Sequence, residues 1–229
     1  MKKIGIIVAM KSEFEQLYNK IGTRVETIKS GIREIYHYKR NDLDIYVTDT
    51  AEGEIAAAGM TQYLITKFDV DMILNFGLCG SLNKDIKCTD LVVVKNLVHY
   101  QFDITGLNPD MQVGQYMGED SNIFTTDDSL RALLKDLCDL KEVTVASGDQ
   151  FVSNTEVKNR LVKEFNADIC EMESAGIIIT CKSNNVPCLL IKLISDNADE
   201  GASISFRDIV NSGINHYVDL IIKLLDKIG

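Results

Sequence analysis

Ala167-Asp-Ile-Cys-Glu-Met-Glu-Ser-Ala-Gly176 and, a few residues on, Leu190-Ile-Lys-Leu-Ile-Ser-Asp-Asn-Ala-Asp199 decide how this chain of 229 residues is read. Each looks like a strand running into a turn or helix start. Each also leaves carboxylates at the carboxyl end of its strand, where open α/β sheets hold their ligands. After Cys170, the run Met172, Ala175, Gly176, Ile177 to Ile179 and Cys181 has the composition of a mostly buried helix, which puts Glu171 and Glu173 in its first turn. The helix macrodipole alone favours acids there, by roughly 0.3–1 kcal/mol each. That accounts for an acid, but not for Glu-Met-Glu-Ser.

Working outward, Ile4-Gly-Ile-Ile-Val-Ala9 is a continuous apolar run, the form of a strand covered on both faces. The spacing of Phe14, Leu17 and Tyr18 then predicts a helix over 11–18, with Glu13 at the strand's carboxyl end. Alternation on either side of Asn41-Asp42 predicts a hairpin within 31–50, and Ala56, Ala57 and Ala58 belong to a helix over 51–68 that can lie close to a sheet. Val70 to Phe76 is a buried strand ending in Gly77-Leu-Cys-Gly-Ser81, which reads as a tight turn or a close approach of backbone to ligand.

Strands follow at 90–98 and 141–146, helices at 130–140 and 155–165, and a last buried strand at 186–194. Its lone charge, Lys192, requires a carboxylate partner. After a loop at 201–205, a closing helix is expected over 206–228 with Val210, Ile214, Tyr217, Ile221 and Leu225 on one side. The polar stretch 99–121 is long for a plain connection and reads as a lid or subunit contact. Together these make one α/β domain with a mostly parallel sheet.

Composition narrows the chemistry. With 24 Lys and Arg against 34 Asp and Glu the net charge is -10, and the basic residues are scattered, which argues against nucleic acid or an anionic membrane as partner. No apolar run reaches the ~18 residues of a transmembrane helix, and Met1-Lys-Lys leads into a strand rather than a signal segment, so a soluble, cytoplasmic protein is expected. The cysteines at 79, 88, 138, 170, 181 and 188 form no Cys-x-x-Cys pair, and His37, His99 and His216 lack ligand spacing, so free thiols and no metal are expected. There is no phosphate loop, complete dinucleotide fingerprint or nucleophile elbow. What remains is cofactor-free acid–base work by Glu13, Glu173 and Asp196, all from strand ends on one edge of the sheet.

Ile4-Gly-Ile-Ile-Val-Ala-Met10 with Glu13, Asn75-Phe-Gly-Leu-Cys-Gly80, Ser147-Gly-Asp-Gln-Phe-Val152, Glu171-Met-Glu173 and Ile194-Ser-Asp-Asn-Ala-Asp199 resemble, in order and spacing, the 5'-methylthioadenosine/S-adenosylhomocysteine nucleosidases of the nucleoside phosphorylase superfamily. The resemblance implies a single-domain, three-layer α/β/α fold around a central mixed, mostly parallel sheet. It implies hydrolysis of the N-glycosidic bond of an adenine nucleoside in methionine salvage. Asp196 would act as acid toward the purine and Glu13 as base for water, and Glu173 would accept from the ribose hydroxyls beside Met172. Phe151 would stack on adenine, Val152 would read its edge, Gly80 and Ser195 would line the pocket, and Phe206 would close the sugar side. It also implies a homodimer in which 99–121 reaches the partner's site.

Three positions depart from that family: Leu78 stands where Ser is usual, Lys192 where Arg is usual, and Glu52 where an apolar residue is usual. Lys cannot reproduce the bidentate fork of Arg. A phosphate-dependent nucleoside phosphorylase is the nearest alternative, although Asn75 stands where such enzymes carry an arginine. A non-catalytic nucleoside-binding protein is the second alternative.

Overall fold

The computed structural model describes the backbone of residues 1–212 and 217–229 and the side chains of 1–210 and 217–229. The expected positions of Ile214 and His216 lie outside these residues. The chain opens with β1 (Lys2–Val8), two short 3-10 turns (Lys11–Glu13 and Glu15–Leu17), and the antiparallel meander β2 (Thr23–Ser30), β3 (Arg33–Arg40) and β4 (Leu43–Asp49). Then come α1 (Glu54–Phe68), β5 (Met72–Ser81), β6 (Leu91–His99), the two-residue β7 (Phe124–Thr125), α2 (Asp128–Lys135) and β8 (Lys141–Ser147). The remainder is α3 (Thr155–Phe165), β9 (Ile169–Glu171), α4 (Ser174–Ser183), β10 (Cys188–Asp196), α5 (Ala202–Ser212) and α6 (Val218–Ile228).

β5 organises the sheet. It is buried over all ten residues, and its first half pairs in parallel with β1 while its other edge pairs in parallel with β10. Its end, Gly80 and Ser81, turns to β9. Since β10 pairs with β6, β6 with β8 and β8 with β9, these five strands close on themselves, and β1, β4, β3 and β2 extend from β5 as an open wing. The sheet is mixed, with parallel ladders running through the strands that carry the acids.

Apolar side chains of α2 and α6 pack with Ile4, Ile6, Leu74 and Phe76 on one face. Those of α1 and α4 pack with Ile7, Ile73, Leu190 and Ile194 in a second core. The alternation of Ile6 and Ile7 between the two cores is the two-residue period of a strand buried on both sides.

Several expectations require correction. The helix over 11–18 is replaced by 3-10 turns, because the Glu13 carboxylate folds inward onto two backbone amides while Phe14 and Leu17 pack into the core. No turn interrupts 77–81, where β5 runs straight on. Glu171 ends β9 and Glu173 holds the N-cap position of α4, so neither lies in a first helical turn. The loop at 201–205 is largely the start of α5. A separate helix begins after Tyr217, whose hydroxyl donates to the Glu13 carbonyl at 2.8 Å. β2 had no apolar alternation to betray it, since most of its side chains are exposed.

All six cysteines are free. Among the described residues no helix is long and apolar enough to cross a membrane.

Candidate active site

Asp196 is placed by an irregularity at the end of β10. The register against β5 shifts between Ile194 and Asp196, which brings Asp196 opposite Gly80, and such bulges re-aim side chains. A Cβ on Gly80 would stand 2.9 Å from Asp196 Oδ1 and 3.1 Å from the Ala198 Cβ. Glycine is therefore needed there for close approach rather than for turning. Asp196 is 2% exposed. Its Oδ2 lies 2.7 Å from the Ser195 hydroxyl, and its Oδ1 accepts from the Ala198 amide at 2.8 Å. Burial raises its pKa, and the Ser195 and Ala198 hydrogen bonds oppose that shift.

Glu13 lines the same cavity. Its Oε2 accepts from the Met10 amide at 2.8 Å and its Oε1 from the Leu78 amide at 2.9 Å. A Cβ on Gly77 would come within 2.9 Å of that Oε1, so the second glycine of β5 also makes room for a carboxylate. Burial pushes Glu13 above the ordinary carboxylate range, against the pull of both amides and the Lys192 charge.

Between them lies the Glu-Met-Glu stretch. Lys192 finds the partner its burial demands in Glu171, with Nζ to Oε2 at 2.8 Å and both side chains almost fully enclosed. Burial would raise the Glu171 pKa, but the Lys192 charge and its hydrogen bond hold it below its ordinary value. Glu173, two residues on, is pushed up to about 8 by burial and by the Glu171 charge. Its Oε1 accepts from the Gly53 amide at 3.1 Å.

A cleft of about 550 Å³ gathers these groups. Glu13, Gly80, Phe151, Val152, Met172, Glu173, Ser195, Asp196 and Phe206 all line it, so every site residue expected from the sequence faces one space. Phe151 is 41% exposed and lines the cleft beside Phe206, the two rings nearly perpendicular at 5.6 Å between centres. Of the departures, Leu78 and the exposed Glu52 line the cleft. Lys192 does not line it and pairs with Glu171, which does. Among the described residues the cleft lining holds no Lys or Arg. Asn75 is buried outside it and donates to the Ile7 carbonyl at 2.9 Å. Among the described residues no group of three or more His, Cys, Asp or Glu is arranged to hold a metal ion.

Sequence reasoning gave no place in the site to Gln150, Cys170 or Glu54. The first two line the cleft. Glu54 is a buried carboxyl at the start of α1 that accepts from the Ser147 hydroxyl and the Gly176 amide. Its one signal was a charge directly before the apolar run Ile55-Ala-Ala-Ala58.

Comparison with known proteins agrees with this architecture. Residues 3–226 match the Phosphorylase superfamily. The chain is 34% identical to the aminodeoxyfutalosine nucleosidase of Helicobacter pylori, over all of both chains. It is 33% identical to the 5'-methylthioadenosine/S-adenosylhomocysteine nucleosidase of Buchnera aphidicola, over 97% of this chain and 98% of the relative. The crystal structure of the H. pylori 5'-methylthioadenosine/S-adenosylhomocysteine nucleosidase with butyl-thio-DADMe-Immucillin-A superposes with a TM-score of 0.93 at 34% identity, covering 99% of each chain. Matched from end to end in sequence and in fold, this chain belongs to the phosphorylase superfamily.

Proposed function

We propose that the protein hydrolyses the N-glycosidic bond of 5'-methylthioadenosine, S-adenosylhomocysteine or a related adenine nucleoside, releasing adenine. The observation that carries this reading is the convergence of Glu13, Glu173 and Asp196 on one cleft without a basic lining residue among the described ones. The relatives' names, nucleosidases of two adenine-related kinds, support it.

Cleavage breaks the bond from the sugar's anomeric carbon to purine N9 and forms one from that carbon to water. Positive charge develops on the sugar before water arrives, as in glycoside hydrolysis. Asp196, favoured in its protonated form by burial, gives its proton to N7, so the purine leaves neutral. Glu13, held by two amides, orients water and takes its proton. Glu173 has one oxygen on Gly53 and the other free for the sugar hydroxyls. Phe151 is placed to stack on the base, with Val152 at the base's edge, Met172 beside the sugar and Phe206 closing that side, a reading supported by the presence of all four in the cleft lining.

The same reading takes the fold as three layers, with α1 and α4 on one face of the sheet and α2 and α6 on the other, supported by the two cores. It also takes the protein as a cytoplasmic homodimer, supported by exposed Ile55 on α1 and Leu107 and Met117 in the 99–121 segment, apolar side chains suited to a subunit contact.

Phosphorolysis needs cationic groups for phosphate. The absence of Lys and Arg from the cleft lining, among the described residues, and the inward commitment of Asn75 favour water. The test is free adenine released from nucleosides differing at the 5' position, with and without phosphate. Release in phosphate-free buffer is expected. A strict phosphate requirement would exclude the hydrolase, and binding without release over long incubation would establish a non-catalytic binder.

A further inference from the structure

Every helix begins with amides that lack intrahelical partners, and at α4 four successive ones are served by side chains from elsewhere. The Glu173 and Ser174 amides donate to Glu171 Oε2 at 3.2 and 3.0 Å. The Ala175 amide donates to the Ser147 hydroxyl oxygen at 3.0 Å, and the Gly176 amide donates to Glu54 Oε2. Ser147 in turn donates to Glu54 Oε1, so the last two caps are joined. The N-cap residue itself, Glu173, makes no side-chain cap, and its carboxyl stays free for the cleft.

Glu54 is the member of this set that comes from a different layer. It is buried on α1, where the two helices touch so closely that a Cβ on Gly176 would lie 2.3 Å from the Glu54 carbonyl oxygen. Its neighbour Gly53 donates its amide to Glu173 Oε1, and its own amide is fixed by Asp149 Oδ1 at 2.8 Å. The Gly53-Glu54 pair therefore reaches Glu173 twice, directly through backbone and indirectly through the start of α4.

We propose that Glu54 is a positioning residue for Glu173, holding the α4 N-terminus against α1 so that the Glu173 carboxyl stands where it grips the sugar hydroxyls of the substrate. This rests on the reading of Glu173 as the sugar clamp. Negative or acceptor groups are favoured at a helix N-terminus, and burial together with the Glu171 charge pushes the Glu54 carboxyl up to about 8. A neutral acid, or an amide of the same shape, keeps one carbonyl oxygen to accept from the Gly176 amide and donates from its other end to the Ser147 hydroxyl oxygen, so Gln can replace Glu at this position.

The test compares kcat/KM for 5'-methylthioadenosine and its 2'-deoxy counterpart, a ratio that reports the grip on the sugar hydroxyl and that general loosening of the fold does not select for. Glu54→Ala and Glu54→Asp are expected to lower the ratio about fivefold or more, the loss of part of one charge-assisted hydrogen bond. Glu54→Gln is expected to keep it within about twofold. In a Glu173→Gln background, Glu54→Ala is expected to change the ratio by less than about twofold, since coupled residues do not act additively. Where Glu54→Ala fails to fold, Glu54→Asp reads the same quantity. An unchanged ratio in Glu54→Asp and Glu54→Ala, with Glu173→Gln lowering it, overturns the positioning role alone. An equal drop in both backgrounds overturns it as well. No base release by the parental protein overturns the proposed function instead.

Discussion

In the cleft Asp196 is held by one hydroxyl and one amide, whereas Glu13 is held by two amides and feels the Lys192 charge. Burial raises both carboxyls. Each carboxyl accepts from two donors, and the difference lies in the nearby charge: Lys192 opposes the shift at Glu13, and the proposed mechanism takes Asp196 as the acid and Glu13 as the base on that ground. Glu171 and Glu173 repeat the contrast two residues apart. The first is held ionised by Lys192, and the second is pushed up to about 8 by burial and by the first. Residue type therefore says little here, and the charges around each carboxyl say most.

The comparison breaks first at the acids themselves. Asp196→Asn and Glu13→Gln are each expected to lower kcat for adenine release by about 10²–10⁴-fold, the range of a positioned acid or base, in a coupled assay of free adenine. A variant at the parental rate removes that residue from the mechanism.

Lys192→Met would leave Glu171 buried beside no cation. A loss of about 3–5 kcal/mol in denaturant unfolding is expected, with recovery of most of it in the Lys192→Met/Glu171→Gln double variant. A single variant as stable as the parent would show that Glu171 does not depend on its partner.

Gly80→Ala puts a Cβ 2.9 Å from Asp196 Oδ1, with the Ala198 Cβ at 3.1 Å and the Cys170 Sγ at 3.3 Å closing the other directions. Displacing the acid is expected to lower kcat by up to about 10²-fold with a small change in melting temperature. A parental kcat would mean that Asp196 tolerates displacement.

The smallest effect lies in pH and stability. Glu54 and Glu173 sit near 8 in the folded protein against an ordinary 4.5, so between about pH 5 and 8 the folded state keeps protons that the unfolded chain has shed. Their contribution is therefore lost as pH rises through that window. Glu171, lowered, contributes above the ordinary carboxylate range and loses its contribution on acidification. Glu54→Gln should flatten the fall in melting temperature between pH 5.5 and 8 by a few degrees. A parental slope in that variant would place Glu54's proton elsewhere.

How much of this could be read from the amino-acid order depends on burial. β1, β5 and β10 are covered on both faces and announced themselves as apolar runs, and the acids that follow β1 and end β10 marked the cleft. β2, exposed along most of its length, offered no pattern, and two-residue β7 was too short to give one. Gly77 and Gly80 carried a correct signal for close approach but an incorrect one for a turn, because the atoms they admit, the carboxylates of Glu13 and Asp196, come from elements distant in sequence. Glu54 was hidden for the same reason: its partners, Ser147 and Gly176, lie 93 and 122 residues away.

The opposite tasks given to Asp196 and Glu13 are tested most directly with a riboside whose leaving group needs no proton, such as a 4-nitrophenyl 5-methylthioriboside, followed by nitrophenolate absorbance. On this substrate the Asp196→Asn deficit is expected to shrink to within about tenfold of the parent, while Glu13→Gln stays about 10²-fold or more down. Equal deficits for the two variants on both substrates would contradict the assignment of acid to Asp196 and base to Glu13.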